Sequence, residues 1–182
     1  MNTKRTLSAL CISVALALIC PYSHAFDLVL NNTPVKVLFN PGGRCTQAII
    51  DEIDNAKSEI LIQAYSFTSV PIAKSILEAH KRGVKVEAII DRGKSKGQYT
   101  SATFLANEKI PTYIDGAHGI AHSKIMIIDG TTVITGSFNF TKAAEKSNAE
   151  NLLIIKSGEL AGLYIDNWND HKQHSEVLEP RY

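Results

Sequence analysis

Histidine, lysine, serine and asparagine recur at short, regular spacing in one stretch of the chain. His122 and Lys124 open an apolar run, and Ser137 and Asn139 close the run that follows it. Alternate residues of a strand share a face, so each pair points one way. A nucleophile or base, a cation and two neutral hydrogen-bonding groups together suit an anion, most naturally phosphate.

A hairpin would bring these two pairs together. Asp129-Gly130 is a strong turn signal between the apolar runs 124–128 and 131–136. Folding back at this turn places the serine and asparagine near the histidine and lysine. The alternative, ordinary polar residues at a solvated strand edge, explains less well why four polar types occur at fixed spacing.

One spacing pattern resembles the HKD motif of the phospholipase D superfamily: His122-x-Lys124-x4-Asp129-x6-Gly136-Ser137-x-Asn139. The continuation "GSFNFTKAAEKSNAEN" resembles the bacterial Nuc-type EDTA-resistant endonucleases of that superfamily. The resemblance covers most of residues 26–182 and is sharpest at 118–155. Superfamily sites use two copies of the motif, and this chain has one. The resemblance therefore implies a homodimer with the site at its two-fold interface.

The reaction that the resemblance implies is a two-step hydrolysis of a phosphodiester, with no metal and no cofactor. His122 of one subunit attacks phosphorus and forms a phosphohistidine, while His122 of the other protonates the leaving oxygen and later activates water. Lys124 and Asn139 hold the non-bridging oxygens, and Ser137 binds phosphate or orients its neighbours.

A nucleophilic histidine needs its second ring nitrogen fixed, and two carboxylates could do this. In the Nuc-type pattern the partner corresponds to Glu150. Asp129 is the alternative, but its parity and its position in the turn point it away from the His122 face. We therefore expect Glu150 to orient the histidine and Asp129 to be a structural member of the motif.

Substrate contacts are expected from two further segments. Arg92, Lys94 and Lys96 cluster in a glycine-punctuated loop after a predicted strand, which suits contacts to a phosphate backbone, although a solvated loop is the alternative. Tyr65 and Phe67 end another predicted strand, where they either wall the substrate cleft or pack in the core.

The first 25 residues are typical of a secretory signal peptide. Lys4 and Arg5 precede an uncharged apolar run over 7–20, and Ser23-His24-Ala25 offers a cleavage site. An uncleaved membrane anchor is the alternative. Cleavage would leave a domain over 26–182, periplasmic or secreted and without stable membrane association. That domain would carry 17 basic and 18 acidic residues and one cysteine, Cys45, which we expect to be buried.

The remaining patterns predict one α/β domain with a mixed, mostly parallel β-sheet flanked by helices. Strands and helices alternate from residue 35 to residue 90, which predicts parallel strands joined by crossover helices. We expect strands over 35–39, 59–65, 84–90, 112–114 and 152–155, besides the hairpin, and helices over 45–57, 71–83, 99–107 and 158–174. On the last helix, Trp168 is expected in the core, and His171 and His174 at the surface. His118 could pair with His122 on a metal, but a loop histidine is the simpler interpretation.

These observations favour an exported, metal-independent, sequence-nonspecific endonuclease that acts on DNA, with RNA as a second substrate class. One alternative is a phospholipase D or phosphatidyltransferase that uses the same chemistry on a lipid. Another is a non-catalytic module that binds phosphate or nucleic acid. The near-neutral charge balance is not that of a strongly basic nucleic-acid binder, so basic groups would have to concentrate on one face.

Overall fold

The computed structural model describes residues 25–95 and 100–180, which fold around one eight-stranded sheet. The predicted signal peptide, except for Ala25, and the candidate Lys96 lie outside the described residues. The strands are β1 Val35–Asn40, β2 Glu59–Ala64, β3 Lys85–Asp91, β4 Thr112–Asp115, β5 Lys124–Ile128, β6 Thr132–Gly136, β7 Glu150–Lys156 and β8 Glu176–Val177. The α-helices are α1 Cys45–Asp54, α2 Val70–Lys81, α3 Ser101–Asn107, α4 Lys142–Lys146 and α5 Gly158–Gln173. No helix among these residues is long and apolar enough to cross a bilayer.

The sheet is mixed, with the strand order β1-β7-β6-β5-β2-β3-β4-β8. Among the described residues, β1, β2, β3, β4 and β6 run in one direction and β5, β7 and β8 in the other, so the expected mixed α/β sheet with flanking helices is confirmed. The neighbouring pairs β2–β3 and β3–β4 are parallel, while the other pairings are antiparallel. The strand β1 does not lie beside β2, because the antiparallel run β5–β6–β7 occupies that edge and β1 pairs with β7 instead.

Apolar layers cover both faces of the sheet, because successive side chains of each strand point to opposite faces. Ile60 and Ile62 of β2 are fully buried in the layer that includes residues of α1 and α2. Leu61, between them, packs in a second layer with Ile127 and the α5 residue Trp168. Trp168 is 2% exposed, and its indole nitrogen donates a 2.9 Å hydrogen bond to the carbonyl of Ile62. Its predicted core position is confirmed. Each such fully buried large side chain contributes about 1.5 to 3 kcal/mol of transfer free energy.

Short elements escaped the sequence analysis. The helix α4 has five residues, too few to show a helical period, although Thr141 caps it by accepting a 3.1 Å hydrogen bond from the Ala144 amide. The two-residue strand β8 pairs with β4 and returns the chain end to the sheet.

The β5–β6 turn has the expected chemistry, and Asp129 anchors it. Asp129 and Gly130 both adopt positive φ, at 53° and 61°. The Asp129 carboxylate accepts hydrogen bonds of 2.7 to 3.1 Å from the backbone amides of Lys57, Ser58 and Glu59, and one of 2.9 Å from the Ser58 hydroxyl. Although burial opposes ionisation, these donors lower the pKa of Asp129. The turn lies at the opposite end of β5 from Lys124, so this carboxylate holds the α1–β2 loop.

Removing this carboxylate should cost stability and spare turnover per folded molecule. Asp129→Ala should lower the free energy of unfolding by about 1 to 3 kcal/mol in urea, because several backbone donors lose their acceptor. Asp129→Asn should cost less, since asparagine tolerates positive φ and keeps one oxygen.

The pH dependence gives the control. An aspartate with a lowered folded pKa stabilises the fold above its ordinary pKa of 3.8. The gap between the parent and the asparagine variant should therefore be full above about pH 4 and shrink as the pH falls through the lowered value. An alanine variant that is fully stable but inactive would contradict the structural role.

Candidate active site

The predicted site residues lie at strand ends that meet at one end of the sheet. This end of the sheet contains the carboxyl ends of β2, β3, β4 and β6 and the amino ends of β5 and β7. Lys124 opens β5 opposite Ala64 of β2, and the backbone amide of Tyr65 donates a 2.8 Å hydrogen bond to the carbonyl of Ser123. Residues from distant parts of the sequence therefore lie close together at this end of the sheet.

His122 and Lys124 both contact Tyr65. The His122 ring is exposed, and its centroid lies 4.5 Å from that of the Tyr65 ring. The Lys124 ammonium lies 5.1 Å from the centre of the Tyr65 ring and donates a 2.6 Å hydrogen bond to the His122 carbonyl. Lys94 places a second ammonium 5.0 Å from the same ring. An exposed imidazole and two ammonium groups therefore lie against the same tyrosine ring.

The Lys124 side chain is unusually buried for a lysine, at 8% exposed. Burial lowers its pKa because desolvation disfavours the charged form, and the nearby Glu150 carboxylate acts in the opposite direction. A buried cation with one nearby counter-charge and a carbonyl contact retains capacity for an anionic ligand.

Glu150 and Ser137 form the second half of the site. The Ser137 hydroxyl donates a 2.5 Å hydrogen bond to Glu150, and the Asn148 amide donates one of 2.9 Å to the same carboxylate. The Ser137 oxygen also accepts a 3.0 Å hydrogen bond from the Asn151 amide. Gly136, at φ 147°, lies so close to the Asn151 carbonyl that a Cβ would meet its oxygen at 2.3 Å. Glycine is therefore required before the serine.

The position of Asn139 follows from its neighbours. Phe138 and Phe140 are 0% and 1% exposed in the core, so the alternating chain turns Asn139 away from their side. Its amide oxygen is buried and has no hydrogen-bond partner among the described residues. A buried polar atom of this kind is costly unless something satisfies it.

The structure brings together some of the predicted residues and separates others. The Lys124–Glu150 interaction links the His122–Lys124 pair to the Ser137–Glu150 pair. Within the described chain, Glu150 takes hydrogen bonds from Ser137 and Asn148 and has none with the His122 ring. The hydrogen bond to His122 that the orienting role of Glu150 requires is therefore not made within the described part of one chain, and the role stays a prediction.

The candidate substrate contacts divide in the same way. Phe67 is 3% exposed and packs edge-on against Phe140 at 5.8 Å, so it belongs to the core and does not line the site. Tyr65 and Lys94 lie at the site. The Arg92 guanidinium is exposed, packs on Gly116 and donates a 3.3 Å hydrogen bond to Glu176 of β8, which directs it toward the chain end.

Two aspartates that the sequence analysis passed over hold the loop that precedes His122. Asp91 and Asp115 end β3 and β4 in register with each other. Asp91 is 5% exposed and accepts a 2.8 Å hydrogen bond from the amide of Ala121, while Asp115 accepts one of 3.0 Å from the amide of Ala117. The signal was present in the sequence, since each aspartate directly follows an apolar strand run.

Cys45 does not take part in this chemistry. It is fully buried at the start of α1, as expected, and burial together with nearby carboxylates raises the pKa of its thiol to about 11. A thiol in this state is a poor nucleophile.

Comparison with known proteins defines the class. The sequence model of a family described as cardiolipin synthase, PLD-like domain, matches residues 49–171. The chain therefore belongs to the PLD-like family of the phospholipase D superfamily, and its fold and family are those of a phosphodiesterase, a hydrolase.

Individual relatives carry two kinds of name. A protein named phospholipase D from Rickettsia conorii is 43% identical over 143 residues, which cover 79% of this chain and 72% of the relative. The crystal structure of Nuc from Salmonella typhimurium, described as a phospholipase D family member, superposes with a TM-score of 0.78 at 37% identity, covering 81% of this chain and 99% of Nuc. NucT from Helicobacter pylori, at 23% identity and a TM-score of 0.73, covers 80% of this chain and 99% of NucT and shares the fold.

The interaction between Lys124 and Glu150 predicts a shift in the pH profile. Glu150→Gln removes the carboxylate that raises the Lys124 pKa, so the lysine should lose its proton at lower pH. The alkaline limb of kcat/KM for a chromogenic phosphodiester should therefore move to lower pH.

Asn148→Ala is the matched control for this shift. It removes a neutral hydrogen bond to the same carboxylate from an exposed side chain, and it should leave the limb in place. The position of the limb is the readout, because its height also reflects any orienting role of Glu150. Equal limbs in the glutamine variant and the parent would show that Lys124 does not titrate in this range.

Proposed function

We propose that this phosphodiesterase is an exported endonuclease that cleaves DNA, with RNA as a second substrate class, without a metal cofactor and without sequence preference. One observation carries the proposal. The exposed His122 ring and the ammonium groups of Lys94 and Lys124 all lie against the Tyr65 ring, at the carboxyl end of β2. A nucleophile among cations on an open surface suits a long polyanion.

The chemistry follows from the groups present. His122 attacks phosphorus and forms a phosphohistidine as one ester P–O bond breaks, the second histidine protonates the leaving oxygen, and water then hydrolyses the phosphohistidine. Lys124 is partly desolvated and would strengthen its interaction with the non-bridging oxygens as charge develops there. The side-chain NH2 group of Asn139 would donate a second hydrogen bond to phosphate. These donors neutralise charge without a metal ion, because lysine and amide groups take the place that carboxylate-bound magnesium occupies in other nucleases.

The second histidine of the reaction must come from another copy of the chain, since the motif occurs once. Surface composition near the site supports such a partner. Phe39 is 69% exposed on β1, where it pairs with Asn151, next to Glu150. Val37, on the same face of β1, is 52% exposed. A second copy that completes the site would cover this apolar surface.

Export rests on the sequence of residues 1–25 alone. The charged start, the apolar run and the small residues before Phe26 support a signal peptide followed by a domain over 26–182, acting in the periplasm or outside the cell.

A lipid substrate is the second candidate, and two observations favour it. The Rickettsia relatives are named phospholipase D, and the matching family is described by cardiolipin synthase. Ile120, two residues before His122, is 60% exposed and could contact an acyl chain.

Cleavage assays with a lipid control separate these functions. The purified protein should cut plasmid and single-stranded DNA in excess EDTA and should leave phosphatidylcholine vesicles intact. His122→Asn should lower the rate of DNA cleavage by about 10³-fold or more, because it removes the nucleophile, and should change DNA affinity by only a few fold.

Lys142→Ala is a suitable control, since it replaces another exposed lysine, at the start of α4. It should leave the chemical step unchanged. Lipid hydrolysis with intact DNA would transfer the proposal to the second candidate. Unchanged DNA cleavage by the asparagine variant would refute the nucleophilic role of His122.

A further inference from the structure

Three histidines and one aspartate converge outside the candidate active site. Asp115 ends β4, His118 lies in the following loop, and His171 and His174 lie at the end of α5. One possible ligand atom from each of the four residues lies within 4.8 Å of the others. The sequence analysis treated these histidines as surface or loop residues, but Asp115 is buried and the His171 side chain is only 16% exposed.

The topology explains why they meet. His171 and His174 are three residues apart and share a helix face. The chain then returns through β8, whose Glu176 pairs with Ile114 of β4. The end of α5 is therefore tied to the strand that carries Asp115.

The distances suit a four-coordinate metal ion. Asp115 Oδ2 lies 2.7 Å from His171 Nδ1, 3.1 Å from His118 Nδ1 and 3.5 Å from His174 Nε2. In a tetrahedral zinc site with bonds of about 2.0 to 2.1 Å, ligand atoms lie about 3.3 Å apart. Small side-chain shifts would therefore place an ion among the four atoms.

A carboxylate that hydrogen-bonds one histidine would not need two further imidazoles beside it. The rings of His118, His171 and His174 lie 4.8 to 5.3 Å apart, so three imidazoles crowd one carboxylate. A divalent cation would satisfy every imidazole at once.

The surroundings complete the site. Asp115 Oδ1 accepts a hydrogen bond from the Ala117 amide, which fixes the carboxylate with Oδ2 within 3.5 Å of all three histidines. Arg92, whose guanidinium packs on Gly116, is paired with Glu176 at 3.3 Å. His174 and His118 have side chains 36% and 47% exposed, which leaves an open route from solvent.

We propose that Asp115, His118, His171 and His174 bind one divalent transition-metal ion, zinc in the first instance, that ties the loop before His122 to the end of α5. Three imidazoles and one carboxylate match the ligand preferences of zinc and of its neighbours in the transition series, and do not match those of magnesium or calcium. Four protein ligands close the coordination shell, so the ion is structural and takes no part in the phosphodiester chemistry.

Zinc titration of the chelator-treated, dialysed full chain tests this site. Calorimetry should give one ion per chain with a Kd in the micromolar range or tighter, and zinc at about one hundred times Kd should raise Tm by about 5 to 10 °C. Copper or cobalt should quench the fluorescence of Trp168, the one tryptophan of the chain, which lies one helical turn before His171.

Variants assign the ligands. His118→Ala and His174→Ala replace the more exposed ligands, so folding should survive, and each should weaken zinc binding at least tenfold. His122→Asn is the matched histidine control and should keep the parent affinity, which also separates this site from a His118–His122 pair. Three results would each overturn the proposal: zinc binding by the parent weaker than millimolar, an affinity in His118→Ala or His174→Ala equal to that of the parent, or a loss of affinity in His122→Asn.

Discussion

The register between β5 and β2 is the constraint on which the site depends. Ile128 and Met126 of β5 face the buried layer opposite Ile60 and Ile62, and Lys124 follows on the same face opposite Ala64. A slip of one residue would turn Met126 and Ile128 into the second layer, which contains Trp168, and would carry Lys124 with them. Packing of isoleucine and methionine thus fixes where the cation lies.

The same end of the sheet also holds polar groups that are costly to bury. Lys124 is nearly enclosed, and the amide oxygen of Asn139 has no partner within the described chain. Neither arrangement helps the fold, because desolvated polar groups lower stability unless they are paired. The apolar layers supply the stability, while the site holds a lysine that an anion would satisfy and an amide oxygen that needs a hydrogen-bond donor. A separation of this kind is typical of a site built for a ligand.

Much of the chain could be predicted from local patterns, and the limits have physical causes. The turn at Asp129-Gly130, the core position of Trp168 and most element bounds follow from short-range periodicity and turn chemistry. The place of β1 at the sheet edge does not, because it depends on pairing with β7, more than a hundred residues later. The cluster around Asp115 escaped for the same reason, since His171 lies 56 residues further along the chain. Phe67 could not be assigned from its position alone, because strand ends supply residues both to clefts and to cores.

The central claim is that each chain supplies half of a phosphodiesterase site centred on His122. Refolding the parent and His122→Asn chains together at defined ratios tests it directly, with DNA cleavage measured against the fraction of parent chain. If two copies share each site and both histidines are needed, activity should follow the square of that fraction, so an equal mixture retains about a quarter of the parent rate. A linear dependence, with about half of the rate in the equal mixture, would show that one chain carries a complete site and would contradict the account.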